Sequence, residues 1–207
     1  MANQDTIHSD DFKKDLSNWV IEQAPGGTVS IKDGQMDIND AGGCTVWFKH
    51  KLKGPLVIEF TVTMVDEGGK NDRVSDLNCF WMATDPEDPE DLFANKKRGG
   101  KFRNYHSLQL YYVGYGANNN TTTRFRRYPG GGARPLLPEH DLKDRRFLHT
   151  ANKPIRITIL SEGQEIEYRR NGETVFKFKD DKPFTEGWFG FRTVRNHMRI
   201  DDFKVKQ

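Results

Sequence analysis

Cysteine is scarce in this chain of 207 residues, which contains only Cys44 and Cys79. Neither belongs to a Cys-X-X-Cys pair, so a cysteine-based zinc cluster is excluded. Both lie in apolar runs that are typical of strands. The residues leave open whether the two form a disulfide or stay as buried thiols, and the second outcome is favoured.

Long apolar runs are missing too. No stretch approaches the roughly 20 apolar residues that a membrane span needs. The first residues, Met1–Asp5, hold no apolar core of a signal peptide. We therefore expect no membrane partner and no leader in this sequence.

Signatures of nucleotide and nucleophile chemistry are absent as well. There is no Gly-X-Ser-X-Gly elbow, no P-loop and no Gly-X-Gly-X-X-Gly motif opening a helix. Paired acids on one strand occur only as Glu165 and Glu167, which precede an exposed hairpin and fit a solvated face better than a glycosidase site. The net charge is only +2 and the basic excess is confined to one segment, which argues against a nucleic-acid partner.

Strand periodicity is what the sequence does contain. Apolar residues alternate through Leu56–Met64 and again through Ile155–Ile159. Asp33-Gly34 and Asn171-Gly172 are two-residue hairpin signals between such runs. The pattern predicts about a dozen short antiparallel strands in an all-β, two-sheet sandwich, with one domain over residues 1–207.

Two segments are predicted to be loops. Asp85–Phe93 has too much acid and proline for a sheet ladder. Pro129–Pro135 contains three successive glycines and is expected to be mobile enough to act as a lid.

Charge is unevenly distributed along the chain. From Asp66 to Asp91 there are nine acids against two basic residues, whereas Lys96–Pro138 has nine Lys and Arg, no acid and five of the six tyrosines. Such separation creates a local positive field on a nearly neutral protein. Lys96–Pro138 is therefore the predicted ligand surface.

Side-chain alternation narrows this surface to single faces of two strands. In the first strand the predicted core residues are Leu108, Leu110 and Tyr112, and the opposite face carries Tyr105, Ser107, Gln109 and Tyr111. In the second strand Phe125 points inward with Thr123, and the opposite face carries Arg124, Arg126 and Tyr128.

Arg124 and Arg126 would project about 7 Å apart on that face. Their repulsion is costly unless an anion or nearby carboxylates compensate it. Guanidinium groups bind carboxylates in a bidentate way, and neighbouring tyrosine rings offer a flat surface for a sugar. The arrangement favours an anionic carbohydrate, and the alternative is a solvated face of ordinary strand residues.

A second cluster lies near the C-terminus. With the flanking phenylalanines inward, Trp188 and Arg192 share the outer face across Gly190. The glycine either lowers the surface for an approaching ligand or marks a bulge or tight strand crossing. His197, at a strand start, is a candidate site residue or a rim histidine without a role.

A calcium ion is the weakest of the predicted ligands. Asp72, Asp76 and Asn78 offer oxygens, but they lack the spacing and glycine of a helix–loop–helix calcium site. An ion pair of Arg73 with Asp76 or Asp72 is preferred. We therefore predict no cofactor, with a structural calcium ion as the alternative.

Four motifs resemble the YesU-like group of concanavalin A-like jelly-roll domains, a bacterial family of unknown function: Asn71–Ala83, Tyr111–Gly116, Thr122–Tyr128 and Gly187–Arg192. Both chain ends resemble the paired terminal strands of that group. The resemblance implies a two-sheet jelly roll and a setting among genes for the breakdown of pectin-type or other uronate-containing polysaccharides. It also implies a periplasmic or secreted location, with cytoplasmic as the alternative, but it brings no established catalytic residues.

The leading hypothesis is a polysaccharide lyase that acts by β-elimination without a metal. This chemistry needs a neutralised carboxylate, a base and an acid. The candidate carboxylate ligands are Arg124, Arg126 and Arg192, helped by Asn118 or Asn120. The candidate base is His106 or His197, and the candidate acid is Tyr111 or Tyr128. Further substrate contacts are predicted for Tyr105, Gln109 and Trp188.

His106 shares the parity of the predicted core residues, which counts against it unless the strand ends or bulges there. Two alternatives remain: a non-catalytic carbohydrate-binding module on the same face, and a metal-assisted enzyme on modified disaccharides that uses Asp72, Asp76 and Asn78. In each case the partner is a polysaccharide or oligosaccharide. The sequence leaves the particular glycan, the bond and the oligomeric state open.

Overall fold

The computed structural model describes residues 5–95 and 97–207, and its regular secondary structure is almost entirely strand. The strands are β1 (Thr6–Asp10), β2 (Trp19–Gln23), β3 (Thr28–Lys32), β4 (Gln35–Asp40), β5 (Cys44–Phe48), β6 (Leu52–Lys53), β7 (Leu56–Met64), β8 (Leu77–Thr84), β9 (Gln109–Gly116), β10 (Thr122–Pro129), β11 (Asp141–Leu142), β12 (Ile155–Glu162), β13 (Glu165–Arg170), β14 (Glu173–Lys179), β15 (Glu186–Thr193) and β16 (Asn196–Lys206). Short 3₁₀ turns cover Phe102–Tyr105, Pro138–His140 and Arg145–Phe147, and a four-residue turn covers Ala117–Asn120.

These strands form two antiparallel sheets. Sheet A has the order β14-β13-β12-β7-β16-β4-β3, with β1 paired to β16. Sheet B has the order β11-β10-β9-β8-β15-β5-β2, with β6 paired to β15. The predicted all-β, two-sheet antiparallel sandwich is confirmed. In the described residues, no helix is long and apolar enough to cross a membrane.

Both hairpin predictions are confirmed. Asp33 and Gly34 join β3 to β4 with φ angles of 53° and 73°, and Asn171 and Gly172 join β13 to β14 with φ angles of 50° and 83°. Positive φ at both central residues gives a turn whose twist matches that of the flanking strands. Asp85–Phe93 and Pro129–Pro135 are mainly turn and coil, as predicted.

The core lies between the sheets. The alternating residues of Leu56–Met64 and Ile155–Ile159 belong to one buried cluster with the β15 phenylalanines, and Phe60 contacts Phe189 and Phe191 directly. Cys44 and Cys79 are both buried there as free thiols, and burial raises the pKa of each. The favoured prediction of two buried thiols agrees with this structure. The extent of a single domain over residues 1–207 stays a prediction.

Sheet B carries a second apolar layer on its outer face, and this layer corrects the predicted parity of β9. Tyr111 lies in the core between the sheets, whereas Leu110 and Tyr112 lie in the outer layer with Trp47 and Phe80. Both faces of β9 are therefore buried. Because its residues are apolar or aromatic on both sides, alternation could not show which face is inward.

The segment Arg98–Ser107 covers part of this outer layer. The buried Arg98 guanidinium pairs with Glu22 at 3.0 Å and with Asp85 at 3.5 Å. A side chain at Gly100 would lie 2.1 Å from the carbonyl oxygen of Gly43, so only glycine permits this approach of the two backbones. The segment is thus fixed on sheet B and forms a wall above it.

Candidate functional site

A cleft of about 860 Å³ opens on the outer face of sheet B. Its floor is made by Tyr112, Arg126 and Arg192. The cationic wall is formed by Lys101, Phe102, Arg103, His106, Tyr128 and Arg134. The amide wall is formed by Arg73, Asp76, Asn118, Asn119 and Arg195, beside Arg124. The predicted Lys96–Pro138 surface therefore supplies most but not all of the cleft, and Lys96 itself lies outside the described residues.

The cationic wall is organised around the ring of Phe102. The rings of Phe102 and His106 are 4.9 Å apart, and the guanidinium carbons of Arg134 and Arg192 lie 5.4 Å and 4.4 Å from the Phe102 ring. Arg134 comes from the glycine-rich loop predicted to be mobile, and its carbonyl oxygen accepts a hydrogen bond from Arg126. Aromatic faces attract cations, so Phe102 gathers these positive groups at one side of the cleft.

The amide wall is organised around Arg73. Its guanidinium pairs with Asp76, donates to Asn119, and donates to the carbonyl oxygens of Val194 at 2.8 Å and Arg195 at 2.9 Å. The preferred prediction of an Arg73–Asp76 ion pair is confirmed. The hydrogen bonds of the Arg73 guanidinium therefore all go to groups of this wall, and they hold the wall together.

In the floor of the cleft, the buried side chain of Tyr112 lies over Gly114. The Tyr112 hydroxyl donates to Asn78 Oδ1 at 2.8 Å, and a side chain at Gly114 would lie 2.2 Å from that hydroxyl oxygen. Gly114 is therefore needed to let the phenol lie flat on the sheet. Arg126 stands beside Tyr112 in the ladder between β10 and β9.

The positive charges of the cleft fall into two groups. Arg73 pairs with Asp76, and Arg124 pairs with Asp141 at 2.8 Å. Within residues 5–95 and 97–207, six other cleft cations form no ion pair with a carboxylate: Lys101, Arg103, Arg126, Arg134, Arg192 and Arg195. The predicted repulsion between Arg124 and Arg126 is thus compensated at Arg124 only.

Arg192 is the most deeply buried of these unpaired cations, with 2% of its surface exposed. Its Nη1 and Nη2 donate to the carbonyl oxygens of Thr193 at 3.3 Å and Gly100 at 3.2 Å, and its Nε has no partner among the described residues. Burial lowers the pKa of this guanidinium, because removing a charge from water disfavours it. An anion in the cleft would offset that penalty.

Within the cationic wall, the rings of His106 and Tyr128 meet edge to face, with their centroids 6.4 Å apart. His106 Nε2 and the Tyr128 hydroxyl are buried and have no hydrogen-bond partner in the described part of the chain. Burial, and then the charges of Arg134, Arg192 and Arg126, lower the pKa of His106. Burial raises the pKa of Tyr128 although the neighbouring Arg134 guanidinium opposes the shift, so the phenol stays protonated. Most buried polar groups have a partner, so these two atoms are candidates for contact with a ligand in the cleft.

Three predicted contacts lie below the cleft instead of in it. The Tyr111 hydroxyl donates to Asp180 Oδ2 at 2.6 Å inside the sandwich. The Tyr105 hydroxyl donates to Glu22 Oε2 at 2.7 Å under the covering segment. The Trp188 indole donates to the carbonyl oxygen of Lys49 at 3.3 Å and is 4% exposed. Their aromatic rings pack the fold, which contradicts the predicted roles in catalysis or sugar contact.

Gly190 is also explained by packing. A side chain there would lie 2.5 Å from the ring of Trp47, so the glycine makes room for that indole and does not lower the surface for a ligand. The predicted sharing of one face by Trp188 and Arg192 is confirmed, although only Arg192 lines the cleft.

Three other predicted residues do not line the cleft. His197 lies on sheet A, with Nδ1 2.9 Å from Asp72 and Nε2 2.8 Å from Asp37. The Asn120 amide bonds to the backbone of His149 at 3.1 Å and 2.8 Å, and Gln109 donates to the carbonyl oxygen of Pro129. His197 and Asn120 are thus positioned by structural contacts, and neither reaches the cations. Asn118, by contrast, does line the cleft.

The predicted calcium ligands are not brought together. Asp72 Oδ2 accepts from the backbone of Glu67 at 2.8 Å and Gly69 at 2.9 Å, Asp76 binds Arg73, and Asn78 accepts from Tyr112. Over residues 5–95 and 97–207, no three His, Cys, Asp or Glu side chains approach closely enough to hold a metal ion.

Several cleft residues escaped sequence reasoning: Lys101, Phe102, Arg103, Tyr112, Asn119, Arg134 and Arg195. Lys101, Arg103 and Arg134 belong to the acid-free segment, so charge marked the region but not the residues. Tyr112 was missed through the parity error, and Arg195 lies in a loop that alternation does not describe.

Solved structures resemble this fold along its whole length. A protein of unknown function with a galectin-like fold from Bacillus subtilis has a TM-score of 0.75 at 19% identity, covering 99% of this chain and 98% of that one. The carbohydrate-binding module CBM66 from Bacillus subtilis has a TM-score of 0.61 at 13% identity, covering 92% and 96%. A β-glucanase from Bacillus licheniformis has a TM-score of 0.63 at 10% identity, covering 97% of each chain.

The fold is therefore the concanavalin A-like jelly roll. No curated protein matches the chain. Membership of the YesU-like group in particular stays a prediction. A family model described as a domain of unknown function, DUF6250, matches residues 38–203, and the chain belongs to that family.

Proposed function

We propose that this protein is carbohydrate-active and binds a uronate-containing glycan in the cleft on sheet B. The observation that carries the proposal is the group of six cleft cations without carboxylate partners, with the buried Arg192 among them. A buried charge without a counter-ion is strongly unfavourable. An anionic ligand would supply that counter-ion at Arg192. Guanidinium groups suit carboxylates through paired, parallel hydrogen bonds.

The shape and chemistry of the cleft favour a sugar over a small inorganic anion. Its volume of about 860 Å³ suits an extended ligand, and the ring of Phe102 and the amides of Asn118 and Asn119 offer apolar and hydroxyl-binding contacts. The carbohydrate-binding module and the β-glucanase share the fold and support the carbohydrate assignment.

Titration calorimetry at low salt tests binding with oligogalacturonate, alginate and glucuronan fragments, and with neutral cellulose fragments of equal length. We expect binding of at least one anionic glycan and none of the neutral ones. Arg134→Ala should weaken binding roughly tenfold or more, whereas Lys177→Ala, an exposed residue paired with Glu165 on sheet A, should not. Failure of every anionic glycan to bind would sink the proposal.

A second function, cleavage by β-elimination, is favoured by the placement of His106 and Tyr128. His106 Nε2 would take the proton from the carbon beside the uronate carboxylate. The electron pair left behind forms the carbon–carbon double bond as the bond to the leaving oxygen breaks, and the Tyr128 hydroxyl protonates that oxygen. The proton then passes from His106 back to Tyr128 through solvent, which restores both groups. The floor arginines stabilise the charge that develops on the carboxylate.

The new double bond absorbs in the ultraviolet, so incubation with pectic, alginate and glucuronan substrates tests this step. We expect absorbance to rise with wild-type protein and not with His106→Gln or Tyr128→Phe. Tyr115→Phe is a matched control, because it also removes a buried hydroxyl without a partner, but inside the core. Binding without any product would instead make the protein a carbohydrate-binding module.

Other aspects of the proposal follow from the same chemistry. The proposed step uses protein groups alone, so a chelator is expected to leave its rate unchanged. Hydrolysis by two carboxylates has less support, because Asp76 is the one acidic residue lining the described cleft and it is held by Arg73. A polymeric uronate is met outside the cytoplasm, so a periplasmic or secreted location is part of the proposal.

A further inference from the structure

The two walls of the cleft offer opposite environments to a ligand. At the amide wall, the three nitrogens of the Arg73 guanidinium all donate within the protein, and Arg124 donates to Asp141 through Nε and Nη2. At the cationic wall, Arg103 and Arg134 have no carboxylate partner among the described residues. Positive charge is therefore available to a ligand mainly at one side.

The amide wall presents side-chain amides instead. Asn119 Oδ1 accepts from Arg73, and in the described residues neither Asn118 nor Asn119 donates its amide nitrogen to the protein. The exposed Arg195 at the rim is the cation that this wall leaves unpaired. Amides of this kind donate to and accept from hydroxyl groups without requiring a charge.

The backbone that carries these amides is strained. Asn118, Asn119 and Asn120 have φ angles of 52°, 59° and 57° in succession, and Val74 opposite them has a φ of 52°. Such conformations are unfavourable, and a β-branched residue adopts them rarely. The hydrogen bond from Asp76 N to the carbonyl oxygen of Gly116, at 3.1 Å, holds the two segments together. The backbone that carries the amides is thus held in position by contacts within the protein.

The distance between the walls indicates the length of the ligand. The turn with Asn118 and Asn119 precedes β10, and Tyr128 lies near the other end of this strand beside His106. At about 3.4 Å per residue, β10 spans roughly 20 Å from Thr122 to Tyr128. One monosaccharide cannot reach both walls, whereas an oligosaccharide can.

We infer that the cleft takes a mixed glycan, in which a uronate residue lies against the cationic wall and a neutral residue places its hydroxyls against Asn118 and Asn119. The inference rests on the proposed function and adds the substrate class. A second carboxylate at the amide wall would lose water while facing Asp76 and amides, with only the exposed Arg195 to compensate it. A neutral sugar incurs no such penalty.

Calorimetry with two classes of tetrasaccharide tests this inference. One class is uniform (tetragalacturonate and tetramannuronate), and the other alternates a uronate with a neutral residue (galacturonate–rhamnose and glucuronate–N-acetylglucosamine). We expect an alternating tetrasaccharide to bind at least tenfold more tightly than any uniform one. Equal or tighter binding of a uniform tetramer overturns the inference and leaves the proposed function intact, whereas no binding in either class overturns both.

The variant Asn118→Gly tests the side-chain amide alone, because glycine adopts the same positive φ and only the side chain is removed. We expect two- to tenfold weaker binding of the alternating tetrasaccharide, as one neutral hydrogen bond is lost. The control is Asn171→Gly, at a φ of 50° in the distant β13–β14 hairpin, which should leave binding unchanged. Equal effects of the two variants, or none at Asn118, would contradict the contact.

Discussion

The cationic wall and the amide wall contain the same residue type used in opposite ways. Arg73 and Arg124 have carboxylate partners and act as fixed parts of the fold. Arg134 of the cationic wall and Arg192 of the adjoining floor have none among the described residues, and Arg192 has an Nε without any partner. An arginine indicates a ligand site only when the protein itself leaves its charge unsatisfied.

The largest expected contrast is between two buried arginines. Arg98→Met leaves Glu22 and Asp85 without their partner, so we expect a loss of about 3–5 kcal/mol in the free energy of unfolding. Arg192→Met strands no carboxylate, and we expect stability within about 1 kcal/mol of wild type, with affinity for an anionic glycan roughly 10- to 150-fold weaker. Denaturant unfolding and calorimetry measure both quantities. A large loss of stability in Arg192→Met would show that its charge serves the fold.

A smaller difference in glycan affinity is expected between substitutions of Arg134 in the cationic wall and of Arg124 beside the amide wall. Arg134→Ala should weaken glycan binding roughly tenfold without changing stability. Arg124→Ala leaves Asp141 unpaired at a partly exposed site, so it should lower stability by up to about 1 kcal/mol and affinity by less than threefold. The distinction between the walls fails if both variants lose the same affinity.

Removing the carboxylate that pairs with Arg124 should make the amide wall more like the cationic wall in its unpaired positive charge. Asp141→Asn frees Arg124 and gives the amide wall an unpaired cation beside Asn118. We expect uniform tetragalacturonate to bind a few times more tightly to this variant, while the alternating tetrasaccharide changes little. Glu139→Gln, an exposed neighbour of Asp141, controls for the general change in charge. An equal gain with both substitutions would mean that only the overall field matters.

The smallest effect concerns pH. The pKa of His106 is lowered by burial and by Arg134, Arg192 and Arg126, so at neutral pH the imidazole is more often uncharged than a free histidine and can act as a base. We expect the rate of β-elimination to fall as the pH drops through the lowered pKa of His106, below the usual range of histidine. In Arg134→Ala one of the charges opposing protonation is gone, so this fall should move to higher pH. Profiles of kcat/KM against pH that coincide would exclude His106 as the titrating base.

The fold was predictable because its signals are local. The alternation of apolar and polar residues in Leu56–Met64 specifies a strand, and Asn171-Gly172 specifies a two-residue hairpin turn. In β10 the single core residue Phe125 stands between arginines, and the predicted faces of that strand are confirmed. Strand β9 has no such contrast, so the faces of Tyr111 and Tyr112 were exchanged.

The candidate site was harder to predict because the sequence does not show which arginine forms an ion pair with which carboxylate. Asp141 neutralises Arg124 from 17 residues away, and Arg98, in the same basic segment, is satisfied by Glu22 across 76 residues. His106 belongs to the segment Arg98–Ser107, and both its ring and the Arg192 guanidinium lie against Phe102 of that segment. Charge composition therefore indicated the region of the candidate cleft, and only the three-dimensional structure shows which of its described cations lack a carboxylate partner.

The unpaired cations also offer a way to find the ligand without an assay for turnover. A compound that binds only the folded protein at a hundredfold excess over its Kd raises the free energy of unfolding by about 2.7 kcal/mol. In a chain of 207 residues this corresponds to a rise of several degrees in Tm. A melting screen of charged and neutral oligosaccharides would thus rank ligands by how well they relieve the repulsion around Arg192.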